Sequence, residues 1–177
     1  MPDHLFREIL EFATEAAWQA GRITLRYFQA GVEVENKVDN SPVTVADRQA
    51  EQKLVEMIRS RFPHDAILGE ELGEHSGTSG RRWIVDPIDG TKSFVHGVPL
   101  YGVMVGVEVE GEPSVGVVYL PGLKEMVCAA KGLGCNWNGR IAKVSEVSNL
   151  KQATILHTEF EDLHRHGKIE AYQKLRK

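Results

Sequence analysis

Three long strand patterns follow one another between residues 101 and 130, and they constrain the fold more than any other feature of the sequence. They cover residues 101–109, 114–120 and 125–130, and the segment Glu110-Gly111-Glu112-Pro113 between the first two is typical of a hairpin. Strands joined by connections this short pair antiparallel. The sequence therefore predicts a largely antiparallel sheet at the centre of the fold.

Two amphipathic helical patterns can back such a sheet. Residues 3–29 carry apolar side chains every three or four positions and are followed by Gly31, a residue typical of helix ends. A second helix is predicted from near Thr44 to Phe62, where Pro63 ends it. Together these elements predict an α+β fold in which two long helices back an antiparallel sheet.

Shorter patterns lie between the second helix and the long strands. Residues 66–68 form a short apolar strand that leads into Gly69-Glu70-Glu71. Residues 74–80 are rich in glycine and small polar residues and are predicted to form a flexible loop. Residues 83–85 read as a buried strand that ends at Asp86. Two acidic segments therefore follow two predicted strands.

A domain boundary is predicted near residues 145–152. Beyond it, residues 153–157 resemble a strand and residues 161–176 resemble a helix, and the chain stops within that helical pattern. We therefore expect an N-terminal α+β domain over residues 1–150 and the start of a second, α/β domain over residues 151–177.

Composition argues against several classes of function. The chain is 42% hydrophobic and 26% charged, as ordinary soluble proteins are, and its net charge of −4 gives no reason to expect nucleic-acid or membrane partners. The first residues lack the basic and apolar regions of a secretory signal. Two cysteines, Cys128 and Cys135, are too few for a disulfide framework and are expected to be reduced thiols in a cytoplasmic protein.

The segment Asp86-Pro87-Ile88-Asp89-Gly90-Thr91 carries two carboxylates three residues apart, followed by a glycine and a hydroxyl. Mg²⁺ prefers oxygen ligands and is typically held by one or two carboxylates together with phosphate oxygens. Asp86 and Asp89 can face one pocket, with the Ile88 carbonyl as a neutral ligand between them. The segment therefore predicts a Mg²⁺ site. The alternative is a simple Asp-Gly turn in which Asp86 caps a helix.

A phosphate site is predicted beside this metal site. Thr91-Lys92-Ser93-Phe94 opens a short helix, whose free backbone N–H groups favour an anion. Two other phosphate chemistries do not match the spacing. A P-loop needs a glycine directly before its lysine, and Thr91 intervenes here. Aspartyl-phosphate phosphatases space their aspartates Asp-x-Asp, whereas Asp89 would not share a strand face with Asp86.

Three further charged residues are candidates for the same site. Glu70 follows a strand that is predicted to end at the same edge as the strand before Asp86, which would bring Glu70 to the metal. Asp47 lies in the first turn of the second helix, where it either serves the helix start or, beside Thr91, orients an attacking water. Lys37 is a candidate to counter phosphate charge.

Three blocks of this sequence resemble the inositol monophosphatase family. They are Lys37-x-x-x-Ser41-Pro42-Val43-Thr44-x-Ala46-Asp47, then Leu68-Gly69-Glu70-Glu71, then Trp83-Ile84-Val85 with the segment from Asp86 to Thr91. The resemblance covers residues 5–157. It implies a layered αβαβα sandwich of the sugar-phosphatase type and a Mg²⁺-dependent, lithium-sensitive phosphomonoesterase. Residues 86–101 and Asp47-Arg48 are most similar to the histidinol-phosphatase branch.

The resemblance implies a set of metal ligands. Glu70, Asp86 and the Ile88 carbonyl would hold a first Mg²⁺, and Asp86 would bridge to a second Mg²⁺ that Asp89 also binds. A complete site would hold two or three such ions. Two cations in this arrangement stabilise the attacking and leaving oxygens of an in-line displacement.

The resemblance also implies residues that act on water and on the substrate. Asp47 and Thr91, with Glu70 nearby, would orient the attacking water. The Gly90 and Thr91 N–H groups would bind the phosphate, and Lys37 and Asp89 complete the set of residues expected to bind the phosphate or the rest of the substrate.

Family members are longer than this chain. Their second half adds an aspartate, within a Trp-Asp motif, to the second metal, and supplies most residues that select the substrate. After Asp89 this chain has one aspartate, Asp162, which lies in a charged helical pattern and is expected to face solvent. We therefore expect a C-terminally truncated chain with an exposed apolar face where a second domain would dock.

Three functions stay open from the sequence. The first is hydrolysis of L-histidinol phosphate, a step of histidine biosynthesis. The second is hydrolysis of inositol-1-phosphate or of a 3′(2′),5′-bisphosphate nucleotide, and the third is an inactive metal-binding fragment. In both enzymatic cases the partner is a small phosphorylated metabolite, and a homodimer is also considered.

Overall fold

The computed structural model describes residues 2–37, 42–154 and 161–175. These residues group into two units, Met1–Ala142 and Lys143–Lys177. The boundary predicted near residues 145–152 lies a few residues further along the chain than the division between these units. Residues 142–149 have no regular secondary structure, so the sequence pattern around them carries no sharp signal for the position of a boundary.

The first unit contains two groups of strands. The short strands β1 and β2 pair antiparallel with each other, and the others form one sheet in the order β10-β9-β8-β7-β6-β5-β3-β4. Neighbours in this sheet run antiparallel, except that β3 and β5 are parallel. The predicted largely antiparallel sheet is confirmed. The strands are β1 (Val34–Asn36), β2 (Pro42–Thr44), β3 (Ala66–Gly69), β4 (Gly73–His75), β5 (Arg81–Asp89), β6 (Gly102–Val109), β7 (Glu112–Leu120), β8 (Glu125–Ala130), β9 (Gly134–Trp137) and β10 (Arg140–Ile141).

Two long helices, α1 (Pro2–Tyr27) and α2 (Val45–Arg61), pack on one face of the sheet, and a short helix, α3 (Thr91–Val95), follows β5. Alternate side chains of the central strands point at the long helices and are buried. Burying a valine in this way stabilises the fold by about 1.5–3 kcal/mol. Within the described residues, no helix combines the length and apolar character needed to cross a membrane. The buried side chains of β5, β6 and β7 in this core include Trp83, Val85, Val103, Val105, Val107, Val115, Val117 and Tyr119.

Helix α2 begins and ends close to the predicted positions. Thr44 is its N-cap, and its hydroxyl accepts a hydrogen bond from the Ala46 N–H at 3.1 Å. The Asp47 carboxylate accepts the Thr44 N–H at 2.8 Å, which completes a capping box. At the other end, the Phe62 N–H donates to the Ile58 carbonyl at 2.7 Å, directly before Pro63.

The predicted hairpin joins β6 and β7, but its turn is shorter than the four residues from Glu110 to Pro113. Glu110 and Gly111 have φ angles of 52° and 78°, as a two-residue turn with the twist of the strands requires. Strand β7 begins at Glu112, and Pro113 lies within it, opposite Glu108 and beside a register shift. A proline is tolerated there because it lacks the N–H that a regular ladder position would use.

The structure has four short strands that the sequence patterns did not indicate, and one of them, β2, pairs with β1 outside the main sheet. Strand β4 overlaps the start of the segment predicted as a flexible loop, residues 74–80, and pairs with β3. Strands β9 and β10 extend the other end of the sheet. Each has four residues or fewer, so it owes its strand conformation to pairing with a neighbour and not to a periodicity of its own.

The face of the sheet opposite α1 and α2 leaves apolar side chains exposed. Ile84 on β5 and Val118 on β7 are each 37% exposed, and Met104 on β6 pairs with Val118. Gly106 and Gly116 pair at the centre of this face and leave a shallow groove lined by their neighbours. The first unit thus presents an exposed apolar face, as expected from the sequence.

The second unit contains a 3-10 helix (Leu150–Gln152) and two short helices, α4 (Glu161–Arg165) and α5 (Ile169–Leu175). The single helix predicted over residues 161–176 is wrong, because Gly167 has a φ of 62° and ends α4. Its N–H donates to the His164 carbonyl at 3.0 Å. Of the strand predicted over residues 153–157, residues 153–154 have no regular structure and residues 155–157 lie outside the described residues.

Candidate functional site

Strands β3 and β5 end at the same edge of the sheet. They are parallel neighbours, with Gly69 opposite Val85, and the Glu70 N–H continues the ladder by donating to the Val85 carbonyl at 3.3 Å. Glu70 and Asp86 are therefore adjacent, as the sequence predicted from the ends of two separate strands. The parallel pairing is what places a residue from each strand at one point of the edge.

The sequence predicted that β5 ends at Asp86, but the strand continues to Asp89. Asp86 pairs with Met104 and Asp89 pairs with Gly102, so three steps along β5 oppose two steps along β6. This extra residue is a β-bulge, which interrupts the regular alternation of side chains across the sheet. The argument that Asp89 would not share a strand face with Asp86 assumed a regular strand, and it does not apply across the bulge.

The carboxylates at this edge repel one another. Burial, the Glu70 carboxylate beside it and the charge of Asp89 together raise the pKa of Asp86 to about 8. The Ile88 N–H donates to Asp86 Oδ1 at 3.0 Å and opposes only part of this effect. A cation bound between these groups would relieve the repulsion, so the electrostatics of the cluster favour a positive ligand.

Lys37 contacts the glutamates that directly follow β3 and forms two ion pairs with them. Its Nζ is 2.7 Å from Glu70 Oε1 and 2.6 Å from Glu71 Oε1. Burial alone would lower the pKa of Lys37, but the two carboxylates outweigh it and raise that pKa. The contacts of Lys37 are therefore with the predicted metal ligand Glu70 and its neighbour. Glu71, a partner that the sequence did not single out, has a side chain that is only 8% exposed.

The donor atoms suit a hard cation, although the side chains are not arranged around one. In the parts of the chain that the structure describes, no three His, Cys, Asp or Glu side chains are grouped so that they could hold a metal ion. Glu70, one of the three predicted carboxylate ligands, is paired with Lys37. The oxygens of Glu70, Asp86, Asp89 and Ile88 are nevertheless the ligand type that Mg²⁺ prefers, and Mg²⁺ needs only one or two carboxylates besides water and phosphate.

The segment after Asp89 has the backbone that the phosphate prediction requires. Gly90 adopts the left-handed conformation, with φ 87° and ψ 40°, and caps helix α3. A Cβ at this position would lie 3.1 Å from the Leu100 carbonyl oxygen, so both the dihedral angles and the space favour glycine. The predicted short helix is present. The Thr91 hydroxyl donates to the Ile88 carbonyl at 3.0 Å, which engages one lone pair of that predicted ligand.

Asp47 serves the start of helix α2, one of the two roles considered from the sequence. It is 1% exposed, and its Oδ2 accepts both the Thr44 N–H and the Thr44 hydroxyl, the latter at 2.7 Å. Burial and the nearby charge of Glu71 raise the pKa of Asp47, and the hydrogen bonds from Thr44 offset only part of this rise.

A small second core places the start of α2 beside the motif. It contains Ala46, the neighbour of Asp47, and Ile88 from the motif, together with Phe94 and Tyr101. All four are at most 2% exposed. Thus the helix start, the motif and α3 pack on one another, although the hydrogen bonds of Asp47 run to Thr44 and not to Thr91.

Glu51 is a residue at this site that the sequence reasoning missed. It lies four positions after Asp47 on the buried side of α2 and is 0% exposed. Burial raises the pKa of Glu51, and hydrogen bonds from the N–H groups of Glu71 and Leu72 lower it in part. A charged residue on an otherwise apolar helix face, between Ala50 and Leu54, was the signal that could have identified it.

Comparison with known proteins agrees with these features. The sequence profile of the inositol monophosphatase family matches residues 6–177. Over 155 residues the chain is 47% identical to a histidinol-phosphatase from Chlorobaculum parvum, a match that covers 87% of this chain and 60% of the relative. A fructose-1,6-bisphosphatase/inositol-1-monophosphatase from Aquifex aeolicus is 35% identical over 153 residues, covering 85% of this chain and 58% of the relative.

Solved structures share the fold of this chain. The extragenic suppressor protein suhB from Bartonella henselae has a TM-score of 0.77 to it at 34% identity, over 81% of this chain and 57% of that protein. The chain therefore spans less than two thirds of the length of the relatives it matches. Because the family profile covers nearly all of the sequence and its fold is that of these relatives, the chain belongs to the inositol monophosphatase family.

Proposed function

We propose that this chain carries the metal-binding and phosphate-binding half of a Mg²⁺-dependent phosphomonoesterase. The observation that supports this best is the set of carboxylates of Glu70, Asp86 and Asp89 at one sheet edge, where burial and then the neighbouring carboxylates raise the pKa of Asp86 to about 8. Clusters that keep like charges together at such a cost in stability are typical of functional sites. The phosphate-binding segment from Gly90 follows directly in the chain.

The proposed ligands follow from the positions of the oxygens. Glu70, Asp86 and the Ile88 carbonyl would hold one Mg²⁺, and Asp86 and Asp89 would hold a second. Bound Mg²⁺ supplies Lewis-acid stabilisation of the charge that develops on the oxygens around phosphorus. Lys37 pairs with Glu70 and Glu71, so its ammonium group would have to share Glu70 with the cation or release it.

The residues on the other side of the motif would act on water and phosphate. We propose that the Thr91 hydroxyl and the Asp47 carboxylate, with Glu70 nearby, orient the attacking water. The Gly90 and Thr91 N–H groups and the Lys37 ammonium group would bind the substrate phosphate, and Asp89 would contribute to substrate binding as a Mg²⁺ ligand. For Asp47 to take this role, its carboxylate must serve the water while its Oδ2 keeps the bonds to Thr44.

L-Histidinol phosphate is the substrate we propose first, because the relative at 47% identity is named a histidinol-phosphatase. Inositol-1-phosphate is an alternative, since another relative is named for inositol-1-monophosphatase and fructose-1,6-bisphosphatase activities. A 3′(2′),5′-bisphosphate nucleotide is the other alternative, proposed from the sequence motifs. A further alternative is a metal-binding chain without turnover. A cytoplasmic location is proposed as well, with the free thiols of Cys128 and Cys135 as support.

The test measures phosphate release with and without Mg²⁺ from histidinol phosphate, inositol-1-phosphate, fructose-1,6-bisphosphate and adenosine-3′,5′-bisphosphate. We expect Mg²⁺-dependent release, fastest from histidinol phosphate and abolished in Asp86→Asn. The matched control is Glu112→Gln, which changes an exposed acid at the hairpin and should leave the rate unchanged. Release that persists in Asp86→Asn would refute the proposed site. Metal binding without release from any substrate would favour the inactive chain.

A further inference from the structure

Glu51 makes contacts that connect helix α2 to the chain segment carrying Glu70. Its carboxylate accepts the Glu71 N–H on Oε2 at 2.8 Å and the Leu72 N–H on Oε1 at 2.7 Å. Both donors belong to the backbone directly after Glu70. One buried side chain therefore binds two successive N–H groups of the turn that follows β3.

The space for this carboxylate depends on Gly69. A Cβ at residue 69 would lie 1.9 Å from Glu51 Oε1 and 2.7 Å from its carboxyl carbon, far closer than atoms can approach. Gly69 has no positive φ in this structure, so the glycine is required by space and not by its dihedral angles. Gly69 and Glu51 are thus a matched pair, in which the missing side chain admits the carboxylate.

The turn needs such a restraint because its charges repel one another. Glu70 lies beside Asp86, and Glu71 lies next to Glu70 along the chain, so three carboxylates meet at this edge. Lys37 attracts the glutamate side chains from a segment outside the sheet, but it does not bind their backbone. The Glu51 carboxylate instead holds the backbone itself, from a helix that is anchored in the main core by Leu54 and Ile58.

We propose that Glu51 is a positioning residue, whose carboxylate binds the backbone after Glu70 and holds Glu70 against Asp86 for metal binding. This inference rests on the proposed function for its consequence, while the clamp itself does not. Groups that hold metal ligands in place without touching the metal typically change metal affinity 10–100-fold when they are altered. Glu51→Gln keeps the size of the side chain but points an NH₂ group at one of the two N–H donors.

The first experiment measures amide hydrogen exchange in the metal-free chain. In the wild type we expect slow exchange at Glu71 and Leu72, and in Glu51→Gln we expect at least tenfold faster exchange at these two amides. Amides in the centre of α2 should change less. Glu56→Gln is the matched control, because Glu56 lies on the same helix in an exposed pair with Gln52. Fast exchange at Glu71 and Leu72 in the wild type would overturn the proposal without any variant.

The second experiment measures the affinity for Mn²⁺, a spectroscopic substitute for Mg²⁺, by titration. We expect the Kd for Mn²⁺ to rise 10–100-fold in Glu51→Gln and in Gly69→Ala. The double variant should have a Kd no higher than that of the single variant with the lower affinity, because both changes disrupt the same contact. Unchanged Mn²⁺ affinity in the folded variants, or additive losses in the double variant, would overturn the proposal. If the wild type binds no Mn²⁺, the proposed function fails, and the exchange rates alone decide whether Glu51 holds the turn.

Discussion

The buried carboxylate of Asp65 holds the beginnings of β3 and β5 together, at the opposite end of these strands from the candidate site. It is 0% exposed and accepts hydrogen bonds from Arg81 Nη2 at 2.8 Å, from the Ser79 hydroxyl at 2.6 Å and from Trp83 Nε1 at 2.9 Å. The Arg81 Nε also donates to it, at 2.9 Å to Oδ2. We predict that Asp65→Ala destabilises the chain strongly without touching the site.

The magnitude follows from the groups left behind. Removing one partner of a buried ion pair costs about 3–5 kcal/mol. The Arg81 side chain is 24% exposed, so water can solvate part of its charge, and we expect the lower end, about 3 kcal/mol. For a chain of this size, that loss lowers Tm by roughly 6–12 °C.

The pH dependence of this contribution has a definite sign. Burial raises the pKa of Asp65, but the bonds from Arg81, Ser79 and Trp83 outweigh it, and the net pKa in the folded chain is lowered. The stabilisation is therefore complete above the unfolded pKa of about 3.9 and is lost as the pH falls through the lower folded value. The difference in the free energy of unfolding between wild type and Asp65→Asn should therefore become smaller only below about pH 4.

Urea denaturation of wild type, Asp65→Ala and a control provides the measurement. The control is Glu74→Ala, which removes an exposed pair with Arg82 at 3.6 Å, formed between β4 and β5 on either side of β3 in the same sheet. Exposed pairs contribute about 0–1 kcal/mol, so this variant should remain close to the wild type. The reasoning is refuted if the two variants lose equal stability, or if Asp65→Ala loses less than about 1 kcal/mol.

Three further predictions test the site and its supports. Gly90→Ala should lose about 1–2 kcal/mol in urea denaturation, because a left-handed residue at φ 87° would carry a Cβ close to the Leu100 carbonyl; wild-type stability would contradict this. In thermal melts with and without Mg²⁺ at a hundred times Kd, the wild type should gain about 2.7 kcal/mol and Asp86→Asn should gain nothing; equal gains would place the metal elsewhere. Thr44→Ala should lose about 1 kcal/mol, because it removes the N-cap of α2 and one hydrogen bond to Asp47, and Thr44→Ser should restore most of it.

Much of the fold was accessible from local patterns. The strands β6, β7 and β8 and the helices α1 and α2 lie within a few residues of their predicted bounds, because periodicity, caps and turns are written within each segment. Short elements were less accessible. Strand β4 depends on its pairing with β3, and the helix break at Gly167 depends on the backbone conformation of one residue. The pattern of residue types along a segment reveals neither of these.

The candidate site was accessible in part for the same reason. The motif from Asp86 to Thr91 and the nearby Glu70 could be predicted as candidate oxygen ligands from residue type and position in the chain. The contacts of Lys37 with Glu70 and Glu71, and the role of Glu51, could not, since each joins segments that are far apart in the chain.

The sequence by itself determined which residues are available for the site and which elements carry them. Only the tertiary structure decided how they meet. The parallel pairing of β3 and β5 places Glu70 beside Asp86, and the bulge opposite Gly102 changes the regular alternation between Asp86 and Asp89. Strand pairing, register and burial are properties of contacts between distant segments, so they arise when the sheet assembles on its helices and not within any one segment.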